Sequence, residues 1–375
     1  MEREAEMKPP YQVPSMAEIA AISRNGLTVV STFAGAGGSC LGYEMAGLKV
    51  KWANEFDANA AENHRLNFPN CILETRDIRE VKAADVLHAC QIEVGELDVL
   101  DGSPPCDSFS MAGKRENGWG KVKDYSGGKR QRTDDLFFEY IRLLEGLKPK
   151  VFVAENVSGL VKGTAKGYFK IVLAALKDCG YNVRVKLLDA QWLGVPQMRQ
   201  RVIFEGVRED LGQEPTYPKP LPYRYSVRDA LPWISKLALR TFENTSENIT
   251  HGPAHSITAT STGSGYNRKH FAIERETDIS RFAIGKEWHK LKPGKQSEKY
   301  FQTVTGAGGE GSIVGITHPT ECRKFTIAEL KRICAFPDDF QLIGSYAQQW
   351  RCLGMAVPPV MMYHIAKAIT TREST

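Results

Sequence analysis

The chain has 375 residues, 42% of them hydrophobic and 25% charged, with a formal net charge of +5. That composition supplies ample apolar material for a core and excludes a mainly disordered chain; the mild charge excess excludes a histone-like polycation. The length predicts two domains, or three. In chain order, the charged stretch Met1–Pro10 lacks the apolar segment of a secretory signal, and no apolar run approaches the roughly 20 residues of a membrane span. Leu27–Ala34 is apolar and β-branched, predicting a strand that ends at the glycine cluster Gly35–Gly38. Cys40–Ala46 predicts a helix stopped by Gly47. Lys49–Phe56 predicts a second strand and Asp57–Asn67 a second helix. Asp98–Leu100 predicts a short strand running into Gly102-Ser103-Pro104-Pro105. Thr133–Gly146 has the period of an amphipathic helix, followed by a strand at Val151–Glu155. Tyr168–Cys179 predicts a helix stopped by Gly180, with strands at Asn182–Asp189 and Arg201–Val207. This alternation predicts an α/β fold with a parallel sheet covered on both faces. From 209 to 321 the texture turns rich in Pro, Gly, Ser and Thr, predicting a smaller, irregular second domain. Lys324–Cys334 and Val360–Thr370 predict closing helices.

Several clusters carry candidate chemistry. Phe33-Ala34-Gly35-Ala36-Gly37-Gly38 lies between a strand and a helix, where glycines let the backbone approach a ligand closely. Glu55 ends the next strand, the position from which a carboxylate accepts hydrogen bonds from ribose hydroxyls. Cys40 occupies the last position of the dinucleotide fingerprint, so an adenosine-type ligand is expected and a pyrophosphate is not implied. Cys106 leaves a strand through Pro104-Pro105, at the end of the sheet where such folds place their ligands, and is the candidate nucleophile. Glu155, at the end of an apolar strand, can have a raised pKa and act as an acid. Arg199 and Arg201 alternate on entering a strand, which places both guanidinium groups on one face, suited to clamping a carboxylate, phosphate or carbonyl oxygen. The eight cysteines include no C-x-x-C pair, and Gly252-Pro253 between His251 and His255 opposes a shared helix face, so no metal site is expected.

The order of these motifs resembles the DNA cytosine-5 methyltransferase family from about Thr28 to Ile369. Phe33, Gly35, Gly37 and Gly38 are similar to its first S-adenosylmethionine motif. Asn54-Glu55-Phe56-Asp57 looks like the second, with Glu55 on the ribose and Phe56 stacked on the adenine, and Asp77-Ile78 fits the adenine-reading position. Pro105-Cys106 with Phe109-Ser110 is similar to the nucleophile motif, which also places Pro105 on the cofactor, Glu155-Asn156-Val157 to the catalytic acid motif, and Gln197–Arg201 to the arginine motif. His318-Pro319, Arg323–Thr326, Phe336-Pro337 and Gly354–Pro358 match the closing motifs, with Met355 and Val357 on the cofactor. Three departures stand out: Ser31-Thr32 where an acidic residue is usual, Asp107 where Gln is common, and Met355 in place of Asn, whose polar contacts a thioether cannot supply.

The resemblance implies a Rossmann-like doubly wound sheet, with residues 1–206 catalytic and S-adenosylmethionine-binding, 207–322 a target-recognition domain, and 323–375 returning to the catalytic domain. It implies methyl transfer to C5 of a cytosine flipped out of duplex DNA, by way of a covalent bond from Cys106 to C6, with Glu155 at N3 and Arg201, aided by Arg199, at O2. Double-stranded DNA is then the partner, and a cytoplasmic, nucleoid-associated monomer is expected, with room for a cognate restriction endonuclease. Residues 111–132 hold seven basic and two acidic side chains, an excess equal to that of the whole chain. Lys114, Arg115, Lys121, Lys123, Lys129 and Arg130 read as a phosphate grip beside the nucleophile, joined by Ser110 and, in the recognition region, Thr303. Other readings are a tRNA-directed enzyme of the same fold, a nucleotide-binding oxidoreductase, and an inactive DNA-binding relic.

Overall fold

The computed structural model describes residues 8–105, 135–161, 166–233 and 325–372, together with the backbone of short strands at 122–124, 130–132, 239–241, 254–255 and 271–273. The first element is a short helix, α1 (Met16–Ala20), opened by a capping box between Ser15 and Glu18. The β-branched run Thr28–Thr32 forms β1, and the glycine turn leads into α2 (Gly38–Met45). There follow β2 (Lys49–Asn54), α3 (Ala58–Asn67), β3 (Ile72–Glu74), α4 (Ala83–Cys90) and β4 (Val99–Gly102). A two-stranded antiparallel pair, β5 (Val122–Asp124) and β6 (Arg130–Arg132), precedes α5 (Leu136–Leu147). Next come β7 (Val151–Val157), α6 (Lys166–Asp178), β8 (Tyr181–Asp189), β9 (Gln197–Met198), β10 (Gln200–Arg208) and α7 (Val227–Ala230). The chain closes with α8 (Ile327–Ile333), α9 (Tyr346–Met355) and α10 (Pro359–Arg372).

Seven strands form one sheet in the order β3-β2-β1-β4-β7-β10-β8. The first five are parallel, whereas β10 runs antiparallel to both of its neighbours, β7 and β8. The wholly parallel sheet expected from the sequence is therefore a mixed one. The reason is local: between β8 and β10 the chain has only a 3-10 turn at Ala190–Trp192 and the two-residue β9, too little for the helical crossover that a parallel return needs. Strand order reverses between β1 and β4, which opens a crevice at their carboxyl ends.

Each face of the sheet is covered. One core layer joins α2 and the closing helices to the sheet through Leu41, Tyr43, Phe336, Met361, Met362 and Ile365. The other joins α4, α5 and α6 through Val86, Phe137, Tyr140, Leu144, Val172 and Phe204. In α5 the apolar stripe Leu136, Phe137, Tyr140, Ile141, Leu143, Leu144 and Leu147 is buried, as its helical spacing requires. Beyond β10 the described chain still belongs to this body: Val227, Ala230 and Leu231 are buried in the first layer, with Tyr217 packed against it. The stretch Tyr346–Arg372 is long and apolar enough to cross a membrane, but α9 and α10 are separated by an extended Ala356, and 61% of the most apolar window is buried inside the protein. Apart from residues 207–233, the proposed target-recognition segment has no side chain among the described residues.

The last helix is locked to the sheet by a buried pair. Arg372 Nη2 meets Glu205 Oε1 in β10, and the Thr216 amide donates to the same oxygen at 2.9 Å. Glu205 is fully buried and its carboxyl is pushed up to about 7 by desolvation, against the opposing pull of Arg372.

Candidate active site

A cleft open to solvent lies at the carboxyl ends of β1, β2 and β4. Its lining includes Phe33, Gly35, Gly38, Glu55, Phe56, Ile78, Pro105, Met355 and Val357, nine of the eleven residues expected to hold a cofactor. Gly37 and Asp77 are not part of the lining. Gly37 instead shapes it: the residue adopts φ +101° at the N-cap of α2, and a Cβ there would lie 2.2 Å from the Phe68 ring. Asp77 caps the 3-10 turn Ile78–Glu80 through the Arg79 amide and pairs with the Arg79 guanidinium at 3.2 Å, which presents Ile78 to the cleft. Ala34, Ser39, Asn54, Ser103 and Ala356 also line it. All but Ser39 lie within the motifs already named, and Ser39 follows the glycine turn directly.

The glycine turn is strained and closely packed. Phe33 sits at φ +54°, a left-handed conformation uncommon for a side chain of its size. A Cβ on Gly38 would fall 2.3 Å from the Val357 carbonyl oxygen, so only glycine lets the closing segment reach the turn. Glu55 reaches back across the turn. One carboxylate oxygen accepts from the Gly35 amide at 2.8 Å and the other from the Asp57 amide at 2.7 Å. Burial raises its pKa from 4.5 to about 7, partly offset by those two amides. Asp57 in turn caps α3 through the amides of Asn59 and Ala60 and pairs with Arg351 of α9 at 3.1 Å.

Ser31, where an acidic residue was expected, does not line the cleft. Its hydroxyl points into the sheet and donates to Asp101 of β4 at 2.8 Å. Met355 does line the cleft and is 54% exposed; its carbonyl, not its side chain, is what the fold holds.

The candidate catalytic residues lie one strand further along. Cys106 itself, with Ser110, Lys114, Arg115, Lys121, Lys129 and Thr303, falls outside the described residues, and of Lys123 and Arg130 only the strand backbone is described. The Pro-Pro turn that precedes Cys106 is well anchored. Pro105 lines the cleft, and the Pro104 carbonyl accepts from Asn156 Nδ2 at 3.1 Å. Asn156 is thus a positioning side chain that its place in Glu155-Asn156-Val157 did not reveal. Next to it, the Glu155 carboxylate pairs with Arg201 Nε at 2.5 Å, both side chains being about nine-tenths buried.

Arg199 falls in the break between β9 and β10, near enough to Arg201 and Glu155 to feel both charges. It is 1% exposed, and its Nη2 donates to the carbonyls of Gly354 at 3.0 Å, Met355 at 3.3 Å and Ala356 at 2.8 Å. Arg199 therefore braces the wall of the cleft. Burial, and next to it the nearby Arg201 charge, lower its pKa to about 9. Among the described residues no group of three or more His, Cys, Asp or Glu is arranged to hold a metal ion.

Residues 27–371 match the family described as C-5 cytosine-specific DNA methylase. The Type II methyltransferase M.NgoFVII of Neisseria gonorrhoeae is 30% identical over 92% of this chain and 87% of its own length. M.PspPI of a Psychrobacter species is 32% identical over 94% and 81%. Among solved structures, Spodoptera frugiperda DNMT2 aligns with a TM-score of 0.59 at 18% identity, covering 92% of this chain and all of that one, a likeness of fold. With nearly the whole chain matched, the protein belongs to the C-5 cytosine-specific DNA methylase family and is a bacterial-type DNA cytosine-5 methyltransferase.

Proposed function

We propose that the chain transfers a methyl group from S-adenosylmethionine to C5 of a cytosine flipped out of a specific duplex sequence, through a covalent bond between Cys106 and C6. The observation that carries this reading is the anchoring of one turn from two sides. Pro105, immediately before Cys106, lines the cleft, and Pro104 is bonded to the residue next to Glu155. A donor in the cleft and an acid at Glu155 would thus converge on the Cys106 turn.

The cleft fits the cofactor on its own chemistry. Glu55 is fixed by two backbone amides with its carboxylate at the strand end, suited to ribose hydroxyls. Phe56 and Ile78 offer apolar surface for an adenine, and the N-terminus of α2 offers backbone N–H groups for a carboxylate. When bound, S-adenosylmethionine supplies an electrophilic methyl group. The chain does the rest. The Cys106 thiolate adds to C6 and pushes electron density onto C5, which is too weak a nucleophile unaided. Glu155, held by Arg201, hydrogen-bonds or protonates N3 and draws off the charge that develops on the ring. Arg201 lies against the acid and reaches the O2 edge. After C5 takes the methyl group, its proton leaves to a base, and elimination of Cys106 restores the ring. A stacked base exposes neither face of C6, so the cytosine has to leave the helix, at a cost of about a few kcal/mol offset by backbone contacts. Residues 111–132 would supply such contacts, the part of 207–322 beyond Trp233 the sequence reading, and an enzyme acting on the host genome would work in the cytoplasm.

Trapping tests the covalent step. With S-adenosylmethionine present, duplex DNA carrying 5-fluorocytosine at the target should form a denaturation-resistant adduct with the wild type, because fluorine cannot leave C5 as the proton does, and none with Cys106→Ala. An adduct that persists in Cys106→Ala would overturn the assignment of the nucleophile.

A further inference from the structure

We propose that Asp101 is a positioning residue for the cofactor cleft, fixing both ends of the glycine turn through Ser31 and Tyr43 and so setting affinity for S-adenosylmethionine without touching it. The proposal rests on the functional reading above.

Asp101 is the third residue of β4, is 1% exposed and does not line the cleft. Its partner in register on β1 is Ser31. One carboxylate oxygen accepts from Ser31 Oγ at 2.8 Å, and the other from Tyr43 Oη of α2 at 3.2 Å. The main-chain carbonyl of Asp101 accepts from Thr32 Oγ1 at 3.2 Å. Ser31 lies two residues before the strained Phe33, and Tyr43 lies in the helix that begins at Gly38. One carboxyl group therefore ties the strand entering the turn to the helix leaving it, and does so from the strand that runs on to Pro105 and Cys106. Ser39, which does line the cleft, lies close enough to this carboxyl to lower its pKa.

The chemistry of the group suits a clamp. A buried carboxylate needs donors, and here every donor is a hydroxyl from the turn's own flanks. Ser31 and Tyr43 are fully buried, so neither has water as an alternative partner. An amide at this position keeps the shape but replaces one acceptor by a donor, leaving either Ser31 or Tyr43 without its acceptor. The turn holds Phe33 at positive φ, a conformation that persists only where its surroundings over-determine it.

The test is calorimetric titration of S-adenosylhomocysteine, with KM and kcat for S-adenosylmethionine, in wild type, Asp101→Asn, Tyr43→Phe, Asp101→Ser, and the double variant Ser31→Asp with Asp101→Ser. Asp101→Asn is expected to weaken binding and raise KM by about tenfold, and Tyr43→Phe by about threefold, with kcat at saturation nearly unchanged. The double variant moves the carboxyl group across the β1–β4 pair and should recover most of the affinity that Asp101→Ser loses. Folded variants that bind as tightly as wild type would overturn the proposal, as would unchanged KM with a collapsed kcat, which would place Asp101 behind Glu155 instead. Should Asp101→Asn not fold, Tyr43→Phe carries the test, and unchanged affinity there overturns it. A wild type that binds no S-adenosylhomocysteine would sink the functional reading itself.

Discussion

The parallel and antiparallel halves of the sheet hold their carboxylates in opposite ways. In the parallel half, Glu55 accepts from two backbone amides, and burial leaves its pKa near 7. In the antiparallel contact, Glu155 of β7 sits against a guanidinium, Arg201 of β10, and the pairing exists because β10 runs back alongside β7, with Arg201 opposite Val157 and Ile203 opposite Glu155. Backbone amides are laid down by a turn and suit a group that must meet neutral hydroxyls. A cation beside the carboxylate suits a group that must manage charge developing on a base. On the proposed function, the cofactor carboxylate contact falls to the parallel strands and the handling of charge on the base to the β7–β10 contact, and the Pro104-Pro105 turn lies between them.

Substitutions can break that division. The largest effect is expected for Glu155→Ala, a loss in kcat of about 10²–10⁴-fold with S-adenosylhomocysteine affinity preserved. An equal loss of affinity, seen by calorimetry, would mean that the halves are not separate. For Gly38→Ala the expected defect is the converse: cofactor affinity collapses because the new Cβ meets the Val357 carbonyl, while the Glu155–Arg201 pair is untouched. Away from both sites, Glu205→Ala strands the buried Arg372 charge and should cost about 3–5 kcal/mol in chemical denaturation, with KM and kcat of the remaining folded enzyme little changed.

Acidity sharpens the contrast. Glu55, Asp101 and Glu205 each have a folded pKa raised to about 7. The native state then holds protons that the unfolded chain has released, so stability of the cofactor-free protein should fall as pH rises from about 4 to about 7. Cofactor binding should follow the reverse course, tightening through pH 7 as Glu55 becomes the anion that accepts two ribose hydroxyls. Glu55→Gln should flatten that profile; an unaltered profile would remove Glu55 from the ribose. The smallest effect is expected at Met355. Its backbone is already held by Arg199, so Met355→Asn should tighten cofactor binding only about threefold, the scale of one added polar contact.

The cleft was largely legible in sequence, because its parts are local: a strand, a glycine turn and a carboxylate 20 residues on. Predicted helices at Cys40–Ala46 and Asp57–Asn67 became α2 and α3 with shifted ends. The rest depends on contacts distant in the chain. Nothing near Arg199 announces carbonyls 155 residues away, and nothing near Asp101 announces Ser31, 70 residues earlier. The helices α1, α4, α7 and α9 were missed, although α9 has an apolar face on which Trp350, Cys352 and Leu353 are buried. The direction of β10 was in principle readable, since no helix-length segment separates Asp189 from Gln200.

Methyl transfer itself is the most direct measurement. S-adenosylmethionine labelled on its methyl group is incubated with the protein and either duplex DNA or tRNA, and the labelled base is identified after digestion. Label recovered as 5-methylcytosine from the duplex is the expected result. Label on adenine, or in tRNA alone, would contradict the proposed function.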